Sequence, residues 1–229
     1  MFGASGAIGG NVAARALERG WTVVAVSRAA APADRAGMEW LRYDPLDDTD
    51  GQALDGQAPF DAVCWAQGAN MADSPAAFDM ERHLDLYRAN CLTVLVALAA
   101  LLDRSLLRAG GARLVVLSSI WQERARGDKL SYTMTKAAIG GLVRAASVDL
   151  GPAGHLINAV LPGVIDTPMA RANLSPAQIE GIAVRTSAGR LADMATVAEA
   201  ILFLCSAANG SITGQSITVD LGMSNAILV

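Results

Sequence analysis

The chain has 229 residues, 52% of them hydrophobic and 17% charged, and a formal net charge of −4. That length and balance exclude a disordered chain and suit a single α/β domain over 1–229 that buries a full sheet between helices. With no block of Lys or Arg, neither nucleic acid nor a membrane surface is expected as a partner, while one local basic site for a phosphate stays open.

Cys64, Cys91 and Cys205 lie in apolar runs without metal-ligand spacing. They read as reduced core residues of a cytoplasmic protein, and no metal site is expected. The longest uncharged apolar run, 91–102, is too short to span a bilayer and suits a buried helix, and the first residues do not read as a signal peptide.

Taken in order, Gly3, Ser5, Gly6, Ile8 and Gly9 belong to a glycine-rich turn that opens into a helical pattern over 11–19, closed by Gly20. Such a turn brings backbone N–H groups close to a pyrophosphate, and the helix N-terminus favours its negative charge. A strand should precede it, yet only Met1 and Phe2 do. The first strand is therefore expected to be truncated or missing, and the favoured explanation is a true start upstream of Met1.

Residues 21–26 read as a buried strand ending at Ser27-Arg28. An acid there would accept hydrogen bonds from a ribose 2′-hydroxyl. The arginine suits a 2′-phosphate instead, which favours NADP(H) over NAD(H). The third strand, 38–43, runs into Asp44-Pro45, whose acid is placed to reach an adenine edge. The fourth, 61–65, ends at Ala66-Gln67-Gly68, small enough for a flat ligand to approach the backbone.

Ser74-Pro75 reads as the start of a long helix running to Leu107, with Asn90 at its middle. Asparagine inside an apolar helix is mildly unfavourable, so a polar task is expected of it: bending the helix and holding a water. A β-branched fifth strand, Arg113–Leu117, leads to Ser118-Ser119. Ser131 is then the expected N-cap of a helix that Gly151-Pro152 stops. On it Tyr132 and Lys136 stand four apart and share a face, so the ammonium is expected to acidify the phenol for proton exchange near neutral pH.

A sixth strand over 156–161 ends in a rigid turn, Pro162-Gly163, from which the backbone of Ile165 and the hydroxyl of Thr167 can meet a carboxamide. Capping boxes at Ser175-Gln178 and Thr196-Glu199 start two further helices. The segment 169–190 looks like a lid. It has no charged cluster, and its apolar members (Met169, Leu174, Ile179, Ile182, Val184) lead us to expect a modest apolar carbonyl substrate. The last strand is Ser216–Val219.

Together these features resemble the short-chain dehydrogenase/reductase family over essentially the whole chain. The family's GxxxGxG turn falls on Gly3, Ala7 and Gly9, with Ala7 in place of the middle glycine. Its Asn-Asn-Ala-Gly stretch falls on Trp65-Ala66-Gln67-Gly68, which keeps only the glycine. Its Asn-Ser-Tyr-Lys set falls on Asn90, Ser119, Tyr132 and Lys136, with thirteen residues from Ser119 to Tyr132. The resemblance implies a Rossmann-like, doubly wound parallel sheet in a three-layer α/β/α arrangement. It implies an NAD(P)-dependent oxidoreductase acting on a small carbonyl or alcohol compound. A 3-oxoacyl thioester, a steroid-like ketone and a sugar ketone are all family possibilities, and members are usually homodimers or homotetramers. Tyr132 would act as general acid/base, Ser119 would hydrogen-bond the reacting oxygen, Lys136 would hold the nicotinamide ribose, and Asn90 would position a proton-relaying water. The departures at Ala7 and 65–67 leave a rival from another class: an NADP(H)-binding sensor or scaffold without catalysis.

Overall fold

The computed structural model describes residues 1–29 and 37–225. Six strands form the sheet: β1 (Val24–Ser27), β2 (Glu39–Arg42), β3 (Ala62–Trp65), β4 (Arg113–Leu117), β5 (Leu156–Pro162) and β6 (Ser216–Val219). The helices are α1 (Ala7–Glu18), α2 (Met80–Tyr87), α3 (Thr93–Asp103), α4 (Leu130–Leu150), α5 (Pro168–Asn173), α6 (Pro176–Ala183) and α7 (Met194–Cys205). All strand pairs are parallel, β2 beside β1 and then β3-β4-β5-β6 in order. Parallel strands require crossovers: α2 and α3 supply the one from β3 to β4, α4 the one from β4 to β5, and α5 to α7 the one from β5 to β6.

Among the described residues Phe2 joins the two parts of the sheet, forming parallel bridges with both Val26 and Trp65. Its N–H donates to Cys64 O at 2.9 Å and its carbonyl accepts from Ala66 N at 3.1 Å. Its ring stacks on Trp65 at 5.7 Å and meets Tyr43 edge-on at 6.1 Å. The first strand is thus reduced to a single bridging residue. Toward the amino edge of the sheet, the space between β1 and β3 opens into a cavity of about 1020 Å³ bordered by Met1, Val24, Ala62 and Cys64.

Alternation along β4 and β5 builds the two cores. Leu114, Val116, Ile157 and Leu161 face Leu98 and Leu101 of α3 and Ile139 and Val143 of α4. Val115, Leu117 and Val160 face Val12 and Ala16 of α1 and Val197 and Ile201 of α7. Burial on both faces is why these strands read as apolar runs, interrupted only by Asn158 of β5, whose side chain bonds Ile212 O and Gln215 N.

Several helix starts differ from expectation. After Ser74 comes only a single 3₁₀ turn, Pro75–Ala77; α2 begins later, where the Asp79 carboxylate accepts from Arg82 N at 3.1 Å. The helical stretch ends at Asp103 and not at Leu107, because Leu106 O and Arg108 N pair with Phe60. Ser131 does not cap α4. Asp73, from the loop after β3, accepts from Ser131 N at 3.0 Å and from its hydroxyl, so a carboxylate remote in sequence supplies the cap. Thr196 and Glu199 form no capping box, since Glu199 turns toward α1 and pairs with Arg15 and Arg19. Ser175 and Gln178 do form one.

Between α2 and α3, Arg88–Leu92 form a π turn in which Asn90 is buried, so the helical hydrogen-bond pattern is interrupted where a bend was expected. By length and composition alone, Met80–Asp103 would suffice to cross a membrane. Half of its apolar window is nevertheless buried inside the protein, as in a core helix.

Candidate active site

At the carboxyl edge of the sheet a cavity of about 600 Å³ gathers Gly3, Ser5, Gly6, Ile8, Arg28, Ala66, Gln67, Gly68, Ser119, Tyr132, Lys136, Pro162, Gly163, Ile165 and Thr167. The order of the elements explains the convergence. Strands β1, β3, β4 and β5 all release their chain at this edge, and the loops that follow bound the same space.

The glycine turn is shaped by contact. Gly3 has φ +73°, and a Cβ there would stand 2.5 Å from Gln67 N. A Cβ at Gly9 would stand 2.2 Å from Gly3 O, so Gly9 lies beneath the turn and supports it without lining the cavity. Gly6 precedes α1 with no side-chain cap and no acid in the first helical turn, leaving the N–H groups of that turn to an anion. Ala7, at the place of the family's middle glycine, starts α1 and lines the cavity. Both polar atoms of the Gln67 side chain are buried without a partner. An uncapped helix start, a turn too tight for any Cβ and an orphaned amide fit a dinucleotide with its pyrophosphate.

Besides Gly9, three expected cofactor residues, Ser27, Asp44 and Pro45, lie outside the cavity wall. The Ser27 hydroxyl accepts from Ala29 N at 3.2 Å. Asp44 accepts from Leu46 N at 3.1 Å and stands 4.0 Å from Arg28, so its carboxylate serves the turn and the arginine, while Pro45 is buried behind it.

On α4, Tyr132 and Lys136 are both buried, with the ammonium 5.6 Å from the phenol ring centroid. Lys136 Nζ donates to Leu117 O at 3.2 Å. Gly68 leaves room for this approach, since a Cβ there would meet Asn90 Oδ1 at 3.1 Å and Lys136 Nζ at 3.7 Å. Burial pushes Lys136 down to about 8. Burial likewise pushes the Tyr132 phenol up to about 12, opposed by a hydrogen bond with Ser119. In the chain by itself the phenol is thus raised where acidification by Lys136 was expected: desolvation dominates, and the opposing influence is the Ser119 hydrogen bond.

Asn90 does not line the cavity. Its amide donates to Ala69 O at 3.1 Å and to Thr135 Oγ1 at 3.0 Å, while its Oδ1 accepts from Ala69 N at 2.7 Å. Thr135 in turn donates to Tyr132 O at 2.9 Å. Asn90 thus ties the loop after β3 to the helix carrying Tyr132. With both side-chain donors engaged, a water held by Asn90 would fall to its backbone. Thr167 caps α5 through its oxygen, accepting from Ala170 N at 3.2 Å, which leaves its proton to donate elsewhere.

Of the five apolar lid members only Met169 and Leu174 reach the cavity. The sequence reading passed over Asn70, Trp121, Arg126 and Lys129, which also line it. Position alone could have flagged the last three, because a loop between Ser119 and Tyr132 must pass over the site that they flank.

A family model described as enoyl-(acyl carrier protein) reductase matches residues 3–224. L-xylulose reductase of Bos taurus is 31% identical over 97% of this chain and 94% of that protein. Among solved structures, a gluconate 5-dehydrogenase from Burkholderia cenocepacia J2315 in complex with NADP and tartrate aligns with a TM-score of 0.91 at 24% identity, over 99% of this chain and 94% of that one. The ligand-free aldohexose dehydrogenase of Thermoplasma acidophilum aligns with a TM-score of 0.90 at 22% identity, over 100% and 94%. The chain belongs to the short-chain dehydrogenase/reductase family. It is an NAD(P)-dependent oxidoreductase acting on alcohol and carbonyl groups.

Proposed function

We propose that the cavity binds NADP(H) and reduces a small carbonyl compound, or oxidises the corresponding alcohol, with Tyr132 as general acid/base. What carries the proposal is the meeting of Ser119, Tyr132 and Lys136 with the glycine turn in one cavity. Bound nicotinamide supplies or accepts the hydride. Gly3, Ser5, Gly6 and Ile8 would cradle the pyrophosphate, Arg28 a 2′-phosphate, and Ala66, Gln67, Gly68 and Lys136 the ribose side. Pro162, Gly163, Ile165 and Thr167 would hold the carboxamide.

The hydroxyl of Ser119 donates to the substrate oxygen as negative charge develops there, and Tyr132 transfers its proton to that oxygen. A phenol pushed up to about 12 is protonated at neutral pH, the form that donates during reduction. Lys136, held against Leu117 O, keeps a positive charge beside the reacting phenol. Asn90 positions this machinery through Ala69 and Thr135.

The test is a fluorescence titration with NADPH and NADH, followed by a ketone panel read at the absorbance of the reduced nicotinamide. Tighter NADPH binding and ketone-dependent oxidation are expected. Binding without oxidation across a wide panel would overturn the catalytic roles, and equal affinities would overturn the preference for NADP(H).

We also propose a cytoplasmic homodimer or homotetramer. Exposed Leu84, Tyr87, Leu95 and Leu102 along α2 and α3, with Met134 and Val148 on α4, give those helices an apolar outer surface. Sedimentation at equilibrium checks this, and a monomer at micromolar concentration would refute it.

A further inference from the structure

The Tyr132 end of the cavity carries more positive charge than the lid sequence implied. Lys129, at the start of α4, is 4% exposed. Its ammonium donates to two neutral oxygens, Asn70 Oδ1 at 2.8 Å and Met71 O at 3.0 Å, and stands 5.9 Å from the Tyr132 ring centroid. An ammonium has three protons to donate, so one remains. Arg126 lines the same cavity, with its Nε buried and unpartnered.

Among the described residues neither cation forms an ion pair. Burial lowers the proton affinity of Lys129, and the nearby guanidinium lowers it further. Asp73 and Asp128 act the other way. Asp73 already receives both the N–H and the hydroxyl of Ser131, and Asp128 is exposed. A buried ammonium beside the Tyr132 ring and a guanidinium with a buried, unpartnered Nε, neither in an ion pair among the described residues, leave positive charge that an anionic ligand would balance.

We propose that Arg126 and Lys129 form an anchoring pair for a compact anion, so that the enzyme prefers carbonyl or alcohol substrates carrying a carboxylate or phosphate a few bonds from the reacting carbon. This rests on the oxidoreductase role proposed above and names its substrate class. The apolar substrate expected from the lid is replaced by an anionic one, because Arg126 and Lys129, which line the cavity from the segment between β4 and α4, supply positive charge that the lid does not. Lys136 and Lys129 flank the same phenol, one toward Gly68 and Leu117, the other toward Asn70 and Met71. The former side serves the cofactor and the latter the substrate's charged group.

The experiment compares matched pairs in the NADPH-linked assay: 4-oxopentanoate against its methyl ester, and dihydroxyacetone phosphate against dihydroxyacetone. The first pair probes a carboxylate and the second a phosphate. In at least one pair the anionic member should have a kcat/KM about 10-fold or more above the neutral one, as charge-assisted hydrogen bonds provide. Arg126→Gln should reduce that ratio about 10-fold, mainly through KM, and Arg126→Lys should restore part of it. Equal values within both pairs, or a ratio untouched by Arg126→Gln, would overturn the anchor while leaving the oxidoreductase role standing.

A second measurement needs no turnover: thermal shift of the NADPH complex with 4-oxopentanoate and with inorganic phosphate. A saturable stabilisation that Arg126→Gln abolishes supports the anchor even if no pair is turned over, in which case the catalytic proposal fails alone. No stabilisation by either anion, together with no turnover, overturns the anchor.

Discussion

The two edges of the sheet differ in a way that separates space from function. The amino-edge cavity is the larger of the two, at about 1020 Å³, yet its wall is mostly glycine and apolar residues, beside the strands that Phe2 bridges. The carboxyl-edge cavity has about 600 Å³ and holds a serine, a phenol, two buried ammonium groups and a glycine turn. Chemistry follows from the ends of parallel strands, where successive loops meet.

The comparison is broken most directly at Tyr132. Tyr132→Phe removes the proton donor and keeps the ring among Met71, Leu86 and Trp121. Its kcat should fall roughly 10²–10⁴-fold, the range for a general acid, with the NADPH dissociation constant within about threefold of the parent's. Steady-state kinetics beside a fluorescence titration checks both numbers. Retained reductase activity would show that another group protonates the substrate.

The corresponding variant toward the other edge is Phe2→Ala. Phe2 is 5% exposed, and no other residue bridges both Val26 and Trp65 among those described. Removing a buried aromatic side chain costs about 3–5 kcal/mol, so denaturant melts should show a loss of that order. Because β1 and β3 both lead into the site, weaker NADPH binding should accompany it. A loss below about 1 kcal/mol would mean that the two parts of the sheet are held together by their helices.

Much of this arrangement was legible in the sequence, for identifiable reasons. Strands β4 and β6 appear with their expected limits; for β4 the reason is burial on both faces, which leaves an apolar run from Leu114 to Leu117. Asn90 stands out as a polar residue in an apolar helix, and it sits in the π turn that interrupts that helix. What escaped were contacts between segments far apart in the chain. Ser131 looked like a cap, but Asp73, 58 positions away, supplies that function. Glu199 looked like half of a capping box, but two arginines of α1 claim it. The positive charge of Tyr132's neighbourhood was read from Lys136 alone, whereas burial sets the phenol's acidity and Lys129 lies on its other side.

Titration sharpens the contrast further. Lys136 has a folded-state value of about 8 against 10.5 for an ordinary lysine. Below pH 8 both folded and unfolded chains carry the charge, and the fold bears its full desolvation cost. Between pH 8 and 10.5 the unfolded chain binds more protons, so stability from this group rises with pH. Tyr132 acts in the opposite sense: raised to about 12 from 10.0, it keeps its proton while the unfolded chain loses one, so stability falls above pH 10. The Tm of the parent relative to Lys136→Met should therefore climb by several degrees from pH 8 to 10. A flat difference across that window would mean that Lys136 stays solvated.

The smallest effect belongs to the larger cavity. Arg108 borders it and pairs with Asp61, both on the surface. An exposed pair of this kind contributes about 0–1 kcal/mol, and no strand end delivers a reacting group beside it. Arg108→Gln should leave kcat/KM and the NADPH dissociation constant within about twofold of the parent's and lower stability by less than about 1 kcal/mol. A tenfold change in either kinetic quantity would tie the amino edge to the chemistry, and the functional division between the two edges would then have to be abandoned.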